Sequence, residues 1–463
     1  MASLLPPSLS DTIVALSTPP GAGAIALVRL SGPQAVALTD EVFAGKNLAA
    51  QPSHTLHFGT VRDQGRILDE VVVSLFRAPH SYTREDVVEI SCHGSDYIVQ
   101  ELLTLLTRKG ARLAEAGEFT KRAFLNGAFD LAQAEAVADL IAADSALSHQ
   151  VAMQQMRGGF SQELKALRAR LVQFAALLEL ELDFGEEDVE FADRTGMLRL
   201  LQELQTIIRQ LLRSFELGNV IKNGVTTVIA GKPNAGKSTL LNALLNEERA
   251  IVSAVPGTTR DFIEDEVSIE GIRFRFVDTA GLRETTDVVE SIGVERTLQR
   301  VQKAALLIYL FDLATTTPEE LTAELQALNP QERIPVLAVA NKADIASPDA
   351  IAAFGHLPYV LPIAAATGAG LDELQEALLQ KVRGAGLDRT GTATIVTNLR
   401  HARSLEASLD SLDAVLQGLA NNQGTELLAA DLRRALASLG EITGEISSDD
   451  LLTSIFTQFC IGK

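Results

Sequence analysis

A glycine-rich segment near the middle of the chain constrains the fold more than any other part of the sequence. It reads Gly231-Lys232-Pro233-Asn234-Ala235-Gly236-Lys237-Ser238, and it lies between an apolar run, Thr226–Ala230, and a helix-like run, Thr239–Leu245. A strand, loop and helix of this composition form a P-loop, whose backbone N–H groups and helix N-terminus bind phosphate oxygens. The pattern predicts a nucleotide-binding α/β domain. In it, Lys237 reaches the β- and γ-phosphates and the Ser238 hydroxyl ligates Mg²⁺.

Two further motifs follow the P-loop in the order expected of a GTPase. The first is Gly257-Thr258-Thr259-Arg260-Asp261, in which the Thr259 hydroxyl is expected to sense the γ-phosphate and Mg²⁺. The second is Asp278-Thr279-Ala280-Gly281, which ends the predicted strand Phe274–Val277. Its aspartate is expected to hold Mg²⁺ through water, and its glycine N–H is expected to meet the γ-phosphate.

A third motif, Asn341-Lys342-Ala343-Asp344, ends the predicted strand Val336–Ala340 and points to guanine. The Asp344 carboxylate can accept hydrogen bonds from N1–H and the 2-amino group of guanine, whereas adenine offers neither donor there. An unpaired carboxylate is costly, so the motif rejects ATP. A final loop, Ala364-Ala365-Ala366, is expected to donate a backbone N–H to the guanine O6.

The residue after the Asp278–Gly281 motif is Leu282, where many GTPases place a water-positioning glutamine. Leucine cannot form a hydrogen bond, so another group must orient the attacking water. The following loop offers Glu284, Asp287 and Glu290. The residues alone do not distinguish a catalyst among these acids from a solvated loop acid.

The flanking segments indicate a multidomain chain. Residues 1–126 alternate short β-like and helical runs, which is typical of an α+β domain. The strands predicted here are Asp11–Leu16, Ala24–Leu30, Leu68–Phe76 and Val87–Ser91. Residues 127–221 and 384–463 have helical periodicity, and the helices predicted in them include Asp130–Met156, Phe160–Leu182 and Asp449–Phe459. We therefore predict a discontinuous helical domain made from both of these segments, with a Ras-like P-loop GTPase domain at 222–383 inserted into it.

Composition narrows the choice of partners. The formal net charge is −20, which argues against strong independent binding to nucleic acid. The chain has two cysteines, Cys92 and Cys460, too few for a disulfide framework. We recognise no signal peptide and no apolar run long enough to span a membrane. A cytoplasmic location is expected.

Several further motifs, with the P-loop and the motifs after it, resemble the tRNA-modification GTPase family called MnmE or TrmE. They are Thr18-Pro19-Pro20-Gly21, Arg29-Leu30-Ser31-Gly32, Gly117–Asn126, Asp130–Ala136 and the terminal Phe459-Cys460-Ile461-Gly462-Lys463. The resemblance covers essentially the whole chain. Ribosome-assembly GTPases lack this tail and this N-terminal segment.

The resemblance implies a folate-binding N-terminal domain that forms a constitutive homodimer. With a flavin- and NADH-dependent partner of the MnmG (GidA) type, in a heterotetramer, such a protein adds an aminomethyl or carboxymethylaminomethyl group to the wobble uridine of certain tRNAs. A tetrahydrofolate derivative supplies the one-carbon unit, and GTP is hydrolysed. The partner would then hold most of the tRNA.

The resemblance also assigns roles to individual residues. Asn234, Ser253, Val255 and Thr258 would hold K⁺ where other GTPases place an arginine finger, and Glu290 would orient water. The folate would contact Arg29, Glu89, Lys463 and position 128, where Ala128 replaces a common lysine. Cys460 would act as a thiolate nucleophile, unless it only shapes the pocket. The nucleotide contacts carried over are Asn234, Ala235, Gly236, Lys237, Ser238, Thr239, Ser253, Ala254, Val255, Pro256, Gly257, Thr258, Thr259, Asp278, Thr279, Ala280, Gly281, Asn341, Lys342, Ala343, Asp344, Ala364, Ala365 and Ala366.

A second hypothesis belongs to a different functional class. The chain could be a regulatory GTPase switch in ribosome assembly that performs no modification chemistry. A net-basic RNA-binding domain would favour that hypothesis, and none is visible in the sequence.

Overall fold

The computed structural model describes residues 11–183, 194–248, 265–277, 304–329, 334–355, 357, 360–383, 394–421, 423–457 and 459–462. The chain divides into two compact units. The first contains Met1–Ile141, Met153–Ala192 and Gln417–Lys463, and the second contains Ala142–Ala152 and Asp193–Leu416. The division into segments 1–126, 127–221, 222–383 and 384–463 stays a prediction.

A seven-stranded sheet in the order β3-β4-β5-β6-β2-β1-β7 forms the frame of the first unit. Its strands are antiparallel except for the parallel pair β1 and β7. The strands are β1 Ile13–Leu16, β2 Ile25–Ser31, β3 Phe43–Ala44, β4 Thr55–Asp63, β5 Arg66–Phe76, β6 Val87–His93 and β7 Arg112–Leu113. The α+β character predicted for this segment is confirmed.

One face of this sheet is buried by helices α1 (Ala35–Val42) and α2 (Asp96–Arg108). Helix α2 presents Leu102, Leu105 and Leu106 to the core, at the three- and four-residue spacing of a single helix face. Alternate strand residues complete the core, namely Val28 and Leu30, Val71, Val73 and Leu75, and Val88 and Ile90. The opposite face of the sheet carries the Arg29–Glu89 pair and the exposed residues Leu56 and Phe58, which are described below.

The predicted helical segments are largely confirmed. In the first unit, α6 (Gly159–Asp183) packs against α13 (Thr425–Thr443), and α14 (Asp449–Phe456) packs against α3 (Glu118–Leu125). The predicted helical stretch Asp130–Met156 is in fact two helices, since Ser145 and Ser148 exchange hydrogen bonds at the break. The helices are α3 Glu118–Leu125, α4 Leu131–Ala142, α5 Ala146–Met156, α6 Gly159–Asp183, α7 Arg194–Asn223, α8 Lys237–Glu248, α9 Pro318–Leu328, α10 Pro348–Ala353, α11 Leu371–Arg383, α12 Leu399–Ala420, α13 Thr425–Thr443 and α14 Asp449–Phe456.

The second unit contains a six-stranded sheet in the order β13-β12-β11-β8-β10-β9. Among its described strands, β9 alone is antiparallel to its neighbour. Both faces are covered, since Ile308 and Leu310 of β11 enter one core cluster and Leu307 and Phe311 enter another. The strands are β8 Val225–Ala230, β9 Asp265–Ile269, β10 Ile272–Phe276, β11 Leu306–Asp312, β12 Val336–Asn341 and β13 Val360–Pro362. This is the α/β nucleotide-binding architecture that the P-loop predicts.

A buried arginine joins helix α3 to the residues before β1 in the first unit. The Arg122 side chain is 1% exposed, and its Nη2 donates to Oδ1 of Asp11 at 2.5 Å and to Oε1 of Glu118 at 3.0 Å. Arg112 donates to the same two carboxylates. Burial alone would raise the pKa of Asp11 and of Glu118, but the bonds from the two arginines outweigh it and hold both pKa values below their ordinary range.

Replacing this arginine should destabilise the first unit. We expect Arg122→Met to cost about 3–5 kcal/mol, because the buried Glu118 carboxylate and that of Asp11 each lose one of their two arginine partners. Urea unfolding followed by circular dichroism measures the loss. The difference from the unchanged protein should shrink below about pH 4. Carboxylates with lowered pKa values stabilise the fold above that range, and this stabilisation is lost as the pH falls through their folded-state values.

Lys121→Met is the matched control on the same helix. Among the described residues, the Lys121 ammonium has no hydrogen-bond or ion-pair partner, and this change should stay within about 0.5 kcal/mol. Equal destabilisation by the two substitutions would contradict a stabilising role for the Arg122 network.

Candidate functional site

The P-loop lies at the carboxyl end of β8, where the chain turns into α8. The turn requires a left-handed backbone at Asn234, with φ at 64°, and at Gly236, with φ at 96°. A Cβ on Gly236 would lie 2.2 Å from Nδ2 of Asn341, so only glycine fits at this position. Ser238 and Thr239 follow in the first turn of α8, and both are exposed. The predicted strand–loop–helix context of the motif is therefore present.

The Lys237 side chain folds back over the loop. Its Nζ donates to the carbonyl oxygens of Gly231 and Lys232, both at 2.8 Å. Burial lowers the pKa of Lys237 below its ordinary value. A phosphate oxygen beside this ammonium would favour its charged form, so the side chain is suited to bind an anion.

The Asn341 amide connects the P-loop to the base loop. This side chain is buried; its Nδ2 donates to the carbonyl of Ala235 at 2.8 Å, and its Oδ1 accepts from the N–H of Ala365 at 3.0 Å. Both bonds are made within the protein. The sequence motif places Asn341 at the site but does not reveal this bridging role.

The residues around Asp344 hold its carboxylate in a position open to a ligand. Lys342 has a left-handed backbone, with φ at 63°, and its Nζ lies 2.7 Å from Oδ2 of Asp312. The N–H of Ala343 donates to Ile363 at 3.0 Å. Asp344 itself is exposed, and its carboxylate accepts no hydrogen bond from the described residues. Both carboxylate oxygens can therefore accept hydrogen bonds from a nucleotide base.

Hydrogen bonds within the protein occupy two of the three backbone amides in the loop Ala364-Ala365-Ala366, which was predicted to donate to the guanine O6. The N–H of Ala364 donates to Ala369 at 2.8 Å, and the N–H of Ala365 donates to Asn341. Ala366 is exposed, and its N–H has no acceptor within the described part of the chain. Of the three amides named from the sequence, the one at Ala366 is free to meet a ligand.

A second group of predicted residues meets in the first unit. Arg29 of β2 lies opposite Glu89 of β6, and its Nη2 lies 2.8 Å from Oε1 of that glutamate. The rings of Tyr82 and Phe119 flank the guanidinium, with centroids at 5.6 Å and 5.7 Å from Cζ. Arg29 and Glu89 are thus an ion pair rather than two isolated surface charges. The two aromatic residues were not among the predicted site residues, although Phe119 lies in the Gly117–Asn126 motif.

The C-terminal tail reaches the same place. Helix α14 ends at Phe456 rather than at the predicted Phe459. The tail that follows pairs with the chain before α3, where Ile461 forms a bridge with Ala116. The carbonyl of Gly462 accepts from the Ser17 hydroxyl at 3.0 Å and from Nη1 of Arg29 at 3.4 Å. Cys460 is exposed, whereas Cys92 is buried. Ser17 was missed from the sequence, although it directly precedes the Thr18–Gly21 motif.

The remaining predicted site residues divide into two groups. Ala128 is half-buried, and its N–H donates to Ala123 at 2.8 Å. Its methyl side chain offers a ligand no positive charge. The others lie outside the described residues, and their roles stay predictions; they are Ser253, Ala254, Val255, Pro256, Gly257, Thr258, Thr259, Asp278, Thr279, Ala280, Gly281, Glu290 and Lys463. Within the described ranges, no helix has the length and apolar character needed to cross a membrane.

Comparison with known proteins covers nearly the whole chain. The family described as "MnmE helical domain" matches residues 131–460, and the one described as "GTP-binding protein TrmE N-terminus" matches residues 12–128. A Cytophaga hutchinsonii protein named tRNA modification GTPase MnmE is 58% identical, over 98% of each chain. Proteins of the same name from Flavobacterium johnsoniae and Christiangramia forsetii are 53% and 52% identical, over 98% of this chain and 99% and 100% of theirs.

These matches agree with the nucleotide-binding features described above. The matched regions include the sheet that carries Arg29 and the helices that precede and follow the P-loop domain in the sequence. With identities above 50% along essentially the full length of its relatives, the chain belongs to the MnmE (TrmE) family of tRNA modification GTPases.

Proposed function

We propose that this GTPase is stimulated by K⁺ and acts with a flavin-dependent partner on the wobble uridine of certain tRNAs. The product would carry a carboxymethylaminomethyl or aminomethyl group at C5, built with a tetrahydrofolate one-carbon unit. The observation that supports this most directly is the meeting of Arg29, Glu89 and the cysteine-containing tail in one place. A GTPase switch alone has no use for such a site, so we set aside the ribosome-assembly hypothesis.

GTP is the substrate that the geometry of the second unit supports. The phosphates would bind the P-loop backbone and the Lys237 ammonium, which has exchangeable carbonyl partners. Ser238 and Thr259 would ligate Mg²⁺, with Asp278 contributing through water. Asp344 would select guanine, and the Ala366 N–H would donate to its O6. Because Leu282 cannot position water, we assign that role to Glu290.

Asn234 is the described residue that supports a K⁺ site. It stands at the exposed tip of the P-loop, with its backbone held in the left-handed region. A side-chain amide oxygen is a suitable ligand for a hard cation. Ser253, Val255 and Thr258 would supply further oxygens. Bound there, K⁺ would contribute positive charge next to the phosphates in place of an arginine finger.

The first unit supports a folate site. A folate carries amide-like ring donors and acceptors and a carboxylate tail. Glu89 can accept from such ring donors, and Arg29 offers a cation between two aromatic rings. Since Ala128 has no charge, Lys463 is the cation that we assign to the folate tail. Cys460 is exposed two residues before Gly462, whose carbonyl meets Arg29, and we propose it as the thiolate nucleophile toward the one-carbon or uridine centre.

A homodimer would cover the open face of the seven-stranded sheet. Leu56 and Phe58 of β4 are 71% and 69% exposed on this face. The row that contains Leu56 runs through Ser74 and Glu89 to Arg29, so the apolar residues and the proposed folate site share one surface. Exposed apolar surface of this kind is typical of an interface. We propose that a second copy of the chain packs here.

The tRNA would be held mainly by the partner protein. A net charge of −20 repels the phosphate backbone, so a complex with an MnmG-type protein, in a heterotetramer, is the arrangement that we propose. This complex would act in the cytoplasm.

Base selection can be tested at Asp344. We expect Asp344→Asn to weaken GTP binding by about 10-fold or more, because one acceptor becomes a donor that opposes the guanine 2-amino group. Titration with a fluorescent GTP analogue measures the affinity. Asp349→Asn is the control, since that aspartate is also exposed but lies in α10. Unchanged affinity in Asp344→Asn would refute the assignment.

Cation dependence tests the Asn234 site. Turnover of GTP should be higher in KCl than in NaCl of equal ionic strength, because Na⁺ is too small to place its charge well in a site built for K⁺. An arginine finger contributes about 10³–10⁵ in rate, which sets the upper range of the effect. Asn234→Ala should remove the difference between the two salts. Equal rates of the unchanged protein in both salts would contradict the proposal.

Cys460 offers a test that separates the two activities. Cys460→Ser should abolish wobble-uridine modification in the reconstituted complex, yet leave GTP hydrolysis close to normal, because the thiol and the P-loop belong to different units. Mass analysis of tRNA nucleosides measures the product. Cys92→Ser is the control, since that buried thiol donates to Ala26 in the core. Normal modification by Cys460→Ser would remove the thiol from the mechanism.

A further inference from the structure

We infer that Ser17 is a positioning residue for the tail: with Arg29 it holds the carbonyl of Gly462, and so fixes where Cys460 is presented. The Ser17 hydroxyl donates to this carbonyl at 3.0 Å, and Nη1 of Arg29 donates to it at 3.4 Å. Both donors thus converge on one backbone oxygen, two residues after the cysteine. The functional consequence rests on the role proposed for Cys460 above.

The position of Gly462 allows no side chain. Its φ is 94°, and a Cβ would lie 2.1 Å from the carbonyl oxygen of Leu16, at the end of β1. The tail backbone therefore lies directly against the backbone of residues 16 and 17. Such an approach needs glycine, and it brings the Gly462 carbonyl within reach of the Ser17 hydroxyl.

A second anchor lies at Cys460 itself and at the residue after it. The Gly117 N–H donates to the Cys460 carbonyl at 3.3 Å, and Ile461 pairs with Ala116 in an isolated antiparallel bridge. Before the tail, Phe456 and Phe459 are buried in an apolar cluster. The short segment from 460 to 462 is therefore fixed at both ends, while the cysteine itself stays exposed.

Hydrogen bonds rather than apolar burial hold the end of this segment. Ile461 is 63% exposed and contributes little buried surface. Arg29 is already committed to Glu89 through Nε and Nη2, and it reaches Gly462 only with Nη1 at the longer distance. The Ser17 hydroxyl makes the shorter bond. Its loss should therefore raise the population of a released tail, by about two- to tenfold for a bond of ordinary strength.

The Gly117 amide gives a readout that does not depend on activity, because its acceptor is the Cys460 carbonyl. Hydrogen exchange of the full-length protein, measured by mass spectrometry with overlapping peptides around Gly117, reports how often the tail opens. We expect Ser17→Ala to speed this exchange by about two- to tenfold, and Ser17→Thr, which keeps the hydroxyl, to restore it. Gly462→Ala should release the tail further. Ser95→Ala is the matched control, since its hydroxyl makes no cap to α2.

The same variants are then assayed in the reconstituted complex. Ser17→Ala should lower the rate of wobble-uridine modification by the fraction of molecules whose tail is released, with a larger loss in Gly462→Ala. GTP hydrolysis should stay unchanged, which also shows that the chain is folded. Unchanged exchange at Gly117 would overturn the anchor. Faster exchange in both Ser17→Ala and Gly462→Ala, with normal modification by both, would overturn its positioning role. If Cys460→Ser modifies tRNA normally, the role proposed for the thiol fails, yet the exchange result still decides whether Ser17 anchors the tail.

Discussion

The nucleotide site depends on one side-chain amide, that of Asn341. It donates to the P-loop at Ala235 and accepts from the base loop at Ala365, so one group fixes the loop for phosphates and the loop for the base. Gly236 lacks a side chain because this amide fills the space where its Cβ would be. Since the protein makes both bonds itself, part of the ordering that binding requires is complete before the nucleotide arrives.

Arginine has a comparable organising role in the first unit. Arg122 joins α3 to the residues before β1, and Arg29 joins β2, β6 and the C-terminal tail. A guanidinium can donate in several directions from one fixed plane, which a lysine cannot do. In a chain with a net charge of −20, these few buried or half-buried cations gather carboxylates and carbonyls around them. The proposed folate site and the tail anchor both follow from that arrangement.

The bounds of several helices and strands were predicted to within about one residue from the sequence. The strand predicted at Thr226–Ala230 begins one residue earlier, and the helix predicted at Phe160–Leu182 is longer by one residue at each end. Strand β4 was missed for a physical reason. Its exposed positions carry Leu56 and Phe58 and its buried ones carry His57 and Gly59, so the usual order of apolar inside and polar outside is inverted. That inversion marks the face proposed for the second copy.

The sequence by itself determined the order and the chemistry of the nucleotide motifs, because the residues of each motif stand together in the chain. The strand–loop–helix geometry of the P-loop is likewise local. Only the tertiary structure decided that Ala366, rather than Ala364 or Ala365, has a free N–H, since the other two amides are taken by partners outside the motif. It also decided that Gly462 meets Ser17 and Arg29, which are 445 and 433 residues away. Contacts over such separations depend on strand pairing and on the path of the whole chain, and no local pattern encodes either.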